Sequence, residues 1–95
     1  MDNVPIHLRS TVVLLKKSFP TGLEENEYLA VIQLLYDYMS DRNLAEVLAF
    51  VTGKPYESCY NDICGVCHRT LEASVYEFTK NKLYENGYAD WMELD

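Results

Sequence analysis

The segment Cys64-Gly65-Val66-Cys67-His68 has the spacing C-x-x-C-H, at which c-type haem is attached: two thiols bind the porphyrin and the histidine ligates the iron. Cys59 adds a fourth side chain, and Cys59, Cys64, Cys67 and His68 together have the donor types of a structural zinc. A redox dithiol is a third chemistry that two cysteines at this spacing perform when one thiolate sits at a helix N-terminus. Each of these needs surroundings that the sequence does not supply. Covalent haem attachment belongs to exported proteins, and Met1-Asp2-Asn3-Val4-Pro5 carries an acid where an export signal would be positive. On one helix, positions 59, 64, 67 and 68 point in different directions and close a tetrahedron only if the chain bends at Gly65. The dithiol centre wants strands beside it, and no strand pattern occurs.

The reading adopted is therefore structural. Tyr60, Ile63, Cys64, Cys67 and Leu71 recur at helical spacing, which puts both cysteines on an inward stripe, and cysteine is among the most buried residue types. No metal ligand, cofactor or catalytic residue is assigned; a metal- or haem-binding protein using Cys64, Cys67 and His68 is the alternative. His7 falls in the opening turns of a helix without a serine partner. Glu24 and Glu25 are paired carboxylates at a helix start, where acids are favoured for structural reasons. The glycines punctuate helices and form no phosphate loop.

The elements that must position these residues are read from apolar periodicity. Leu8, Val12, Leu15 and Phe19 mark a first helix from about Val4 to Ser18, with Lys16 and Lys17 in its last turn. Pro20 and Gly22 stop it. Thr21 and Glu24 have capping-box spacing, and Tyr28, Ile32, Leu35 and Met39 then define a central helix so apolar that it is buried on most sides. Ser40 and Asp41 cap a third helix through Leu44, Val47, Leu48 and Val51, ended by Gly53 and Pro55, so that the second and third helices read as a short-linked hairpin. A fourth helix is expected from about Glu57 to Thr70. A fifth runs from about Ser74 to Asn86, with Ser74 and Glu77 as a second capping box and Asn86-Gly87 as a left-handed stop.

Phe19-Pro20-Thr21-Gly22-Leu23, the pair Glu27-Tyr28, Ile32 and Leu35, and Ser40-Asp41 followed by Leu44 and Val47 carry a resemblance to a known family. It is a family of small, acidic, mostly actinobacterial helical proteins catalogued as a domain of unknown function, and weaker agreement extends through Asp62-Ile63, Leu83 and Gly87-Tyr88. The resemblance implies an all-helical fold and brings no activity. Cys64, Cys67, His68 and the density of tyrosines depart from the family's pattern.

The chain thus reads as all-α, one domain over residues 1–95, a bundle of about five helices around a buried central helix. Eight Lys and Arg against fifteen Asp and Glu give a net charge of -7, which opposes the phosphate neutralisation behind nucleic-acid binding and disfavours a helix-turn-helix built on the Ser40 turn. No run of residues is long and apolar enough for a membrane span. Three cysteines, an odd number, fit a reducing cytoplasm better than a disulfide framework. The function class expected is a non-enzymatic protein-interaction or regulatory module, a monomer or weak dimer with a protein partner and with neither nucleic acid nor membrane. Tyr84, Tyr88 and Trp91 are candidate aromatic anchors. The single tryptophan, Trp91, is expected to dock on the domain's own surface, with a partner's groove as the alternative.

Overall fold

Seven of the eleven residues of the central helix are buried, and the rest of the chain is arranged to cover them. The computed structural model describes residues 4–66 and 71–93. Among these, a 3-10 turn (Ile6–Leu8) leads into α1 (Arg9–Ser18), followed by α2 (Glu25–Leu35), α3 (Asp41–Thr52), α4 (Tyr56–Val66), α5 (Ala73–Glu85) and α6 (Tyr88–Met92), with no strand. The radius of gyration is 12.2 Å. One core runs through all of it, with Leu8, Leu15, Ile32, Leu35, Leu44, Leu48, Ile63 and Leu83 among its fully buried side chains. This is the all-α bundle around a buried helix that the apolar pattern predicts, with α6 as an added element.

The central helix starts one turn later than its first capping signal. The N-cap is Glu24, and its N–H donates to the Glu27 carboxylate at 3.0 Å; Thr21 is too early because Gly22, at φ 99°, still turns the chain. The helix also stops sooner than its periodicity, at Leu35. Tyr36 and Tyr38 lie in the following turn and are 47% and 43% exposed, because α3 must start afresh at Ser40. There the serine side chain accepts the Asn43 N–H at 3.1 Å, as its N-cap chemistry requires. Gly53, at φ 79°, closes α3 in the left-handed conformation. The expected hairpin of α2 and α3 does not form: α3 lies against α4 and α1, while α2 packs against α5 and α4.

Two registers differ from expectation. In α5 the N-cap is Glu72, with no side-chain cap, so the Ser74 and Glu77 box is not used. Its inward residues are Thr79 and Leu83, which explains the poor periodicity, since a threonine interrupts the apolar stripe and Phe78 is 58% exposed. In α4 the inward residues are Cys59 and Ile63, with Tyr56 packed against them. Cys64 is exposed, not on the core stripe. Both possible stripes contain Ile63; the one that wins buries the small Cys59 and leaves Tyr60 at the surface. Cys67 lies outside the described residues.

Of the two described cysteines, Cys59 is the one whose loss opens a core cavity. Cys59→Ala should lower stability in a urea melt by on the order of 1 kcal/mol, and Cys64→Ala should change it by less than about 0.5 kcal/mol. In peptide-mapped thiol labelling of the native protein, Cys64 should be modified first and Cys59 only on unfolding; the reverse order would reject this register.

Candidate functional site

Of the ligand-type side chains in and beside the C-x-x-C-H segment, the described residues include only Cys59 and Cys64. Cys59 and Cys64, five residues apart on α4, face the core and the solvent respectively, and Cys67 and His68 lie outside the described residues. Among the described residues no group of three His, Cys, Asp or Glu side chains is placed to hold a metal ion. No described helix is long and apolar enough to cross a membrane.

The titratable cluster that does form was not legible in the spacing. Tyr28, on the second turn of α2, is 2% exposed, and its hydroxyl donates to Asp62 Oδ2 on α4 at 2.7 Å. Lys54, in the connection before α4, places Nζ 3.5 Å from the same oxygen and 4.1 Å from the centre of the Tyr28 ring. The Tyr28 hydroxyl is thus spent on a contact between helices. Burial above all, then the Asp62 hydrogen bond and the nearby Cys59 thiol, push its pKa above the ordinary value. A tyrosine shifted that way is harder to ionise and serves here as a hydrogen-bond donor. The trio acts as a latch between α2 and α4, a cation held between a carboxylate and an aromatic face.

An aromatic cluster lies at the seam between α1 and α6. Gly87, at φ 108°, ends α5 and turns the chain directly into α6. Tyr88 is buried beneath it, its hydroxyl donating to the Leu34 carbonyl at 2.8 Å. Burial and the neighbouring hydroxyls of Tyr38 and Tyr84 raise its pKa. Trp91 stacks on Tyr88 with centroids 5.8 Å apart, meets Tyr38 edge-on at 5.8 Å, and donates its indole N–H to Thr11 Oγ1 on α1 at 2.8 Å. Trp91 is thus docked on the domain itself, packed against its core. Of the three candidate anchors, Tyr88 is inside, Tyr84 remains 45% exposed, and Trp91 is half-buried.

Clefts open on both sides of that indole. One, of about 240 Å³, lies between the start of α1, the turn before α3 and α6, and its lining includes His7, Ser10, Tyr38, Ser40, Asn43 and Trp91. The other, of about 320 Å³, runs along α1 on the side of α5 and α6, with Val13, Leu14 and Trp91 as its apolar floor. The tryptophan was legible as a docked residue, but Thr11, Val13 and Lys17, which complete the seam, carry no signal in sequence beyond their place on a helix.

No protein-family model, curated protein or solved structure matches the chain, so the argument for function rests on these residues.

Two measurements test the geometry. Tyr28 and Tyr88 keep their protons in the folded state to higher pH than in the unfolded chain, where tyrosine titrates near about 10. Above that pH the unfolded state binds fewer protons, so their contribution to stability, complete below about pH 10, is lost as pH rises. The melting temperature should decline above about pH 10, and Tyr28→Phe should make the decline shallower; an unchanged slope would remove Tyr28 from the account. For the seam, Trp91 fluorescence should be blue-shifted, and truncation after Ala89 should lower the melting temperature. Red-shifted emission with unaltered melting would contradict the docked indole.

Proposed function

We propose that the protein is a non-enzymatic interaction module of the cytoplasm, a monomer or weak dimer that recognises a protein partner through the α1–α6 seam. The observation that carries this reading is the fixed indole of Trp91, held by the Thr11 hydrogen bond and two aromatic neighbours between two open clefts. Tryptophan and tyrosine are enriched at binding hot spots, and a ring already immobilised loses little further freedom on association. The net charge of -7 weighs against nucleic acid as the partner. The upward shifts at Tyr28 and Tyr88 weigh against either acting as a catalytic base.

Site-specific photocrosslinking tests this in the native cell. A benzophenone amino acid at Val13, on the seam, should give a discrete adduct with one protein species. The same group at Glu57, exposed on α4, should not. Adducts that are equal at both positions, or absent from the seam, would reject the seam as a recognition surface.

A further inference from the structure

The two clefts differ in chemistry, and the one along α1 specifies its occupant. Helix α1 carries Arg9, Lys16 and Lys17 and no acid, in a chain whose net charge is -7. Elsewhere among the described residues, Lys54 and Lys82 are ion-paired with Asp62 and Glu27, Lys80 lies over the Tyr84 ring, and Arg42 is the single basic residue of α3. The exposed side of α1 is therefore a positive strip on an acidic protein. Arg9, Val13 and Lys17 follow one another at four-residue spacing and all line the groove of about 320 Å³. They form one lip, with a cation at each end and an apolar residue between them. Val13 is 37% exposed. Arg9 uses its Nε–H on the Val4 carbonyl at 3.1 Å, which fixes the guanidinium at one end and leaves its other donors for an acceptor. The opposite lip is formed by Asn86, Gly87 and Asp90, and a Cβ at Gly87 would meet nothing within 4 Å, so that wall is low.

We propose that this groove receives an acidic amphipathic helix of a partner protein, with carboxylates on Arg9 and Lys17 and apolar side chains on Val13 and Trp91. The inference rests on the interaction-module reading and adds the occupant. Eight residues of α1 separate the two cations by about 12 Å along the axis, which matches two carboxylates seven or eight residues apart on a helix lying alongside. The side of that helix turned to Asp90 carries no acid, because two carboxylates facing across the lip would repel. An anionic membrane surface would meet the same strip, but as an extended sheet of negative charge it would also face Asp90 on the opposite lip, whereas a single helix meets the groove alone.

Panning the full-length protein against a phage-displayed library of helical 16-residue peptides tests the proposal. Selected peptides should carry acids seven or eight residues apart flanking Leu, Ile or Phe, and their affinity should weaken with added salt. Lys17→Glu should weaken binding by at least about tenfold, while Arg42→Glu, the same charge change on α3, should leave it nearly unaltered. Circular dichroism and melting confirm that both variants fold. Peptides without the acidic pattern, equal losses in both variants, or no selected peptide would overturn the occupant. So would Lys17-dependent co-sedimentation with phosphatidylserine vesicles in the absence of peptide binding. Seam-specific photocrosslinking to a protein that ignores Lys17→Glu would leave the interaction-module reading standing and sink this inference alone.

Discussion

The hydroxyl of Tyr88 on the carbonyl of Leu34 is the contact on which the architecture turns. A helix ends with carbonyls that have no partner within it, and α2 ends in the interior, where water does not supply one. Ile32 and Leu35 give their carbonyls to the N–H groups of Tyr36 and Tyr38 in the turn that follows. Leu34 cannot be served locally. Its partner comes from a residue 54 positions later, which obliges the chain to turn back at Gly87 and lay α6 across the end of α2. Once Tyr88 is there, Trp91, one turn on, falls against α1. The seam between α1 and α6 is thus a by-product of satisfying a buried backbone group.

The other end of α2 is held by the same part of the chain. Glu27 works with both oxygens: one accepts the N–H of Glu24 and so starts the helix, and the other lies 3.6 Å from Lys82 on α5. Lys82 in turn sits 5.3 Å and 5.0 Å from the ring centres of Phe19 and Phe78. Its position between a carboxylate and two aromatic faces repeats the arrangement of Lys54 with Asp62 and Tyr28. In both places a lysine is kept near the surface of an apolar core by joint electrostatic and ring contacts, and in both it joins α2 to a helix far away in sequence. This economy of cations leaves those of α1 as the concentration of positive charge on the described surface.

The sequence was readable where a residue's preference is settled by its own neighbours. Ser40 caps a helix, Gly53 and Gly87 end one, and the run from Tyr28 to Leu35 is buried, all for reasons that lie within a few positions. It misled where two local solutions were equally good. Glu24 completes a capping box with Thr21 or opens one with Glu27, and the choice depends on the turn at Gly22. Ile63 belongs to a stripe with Cys59 or to one with Cys64, and the choice depends on which face of α4 meets α3. The Tyr28, Lys54 and Asp62 trio was out of reach, since residues 34 apart are brought together by topology and not by period. The candidate site divides the same way: that Trp91 is docked followed from the cost of a solvated indole, whereas the residue that receives it did not.

The contact of Trp91 with Thr11 spans 80 positions, and it has a consequence for how the molecule is made. Synthesis delivers α1 and α2 first, and until Tyr88 and Trp91 emerge from the ribosome the end of α2 lacks its hydrogen-bond donor and α1 lacks its aromatic cover. While the residues between are being made, α2 carries one carbonyl, that of Leu34, without its native donor. Native closure is a late event, imposed by loop-closure entropy over a long stretch of polypeptide. Proteolysis and chaperone engagement would be concentrated in the interval before α6 docks.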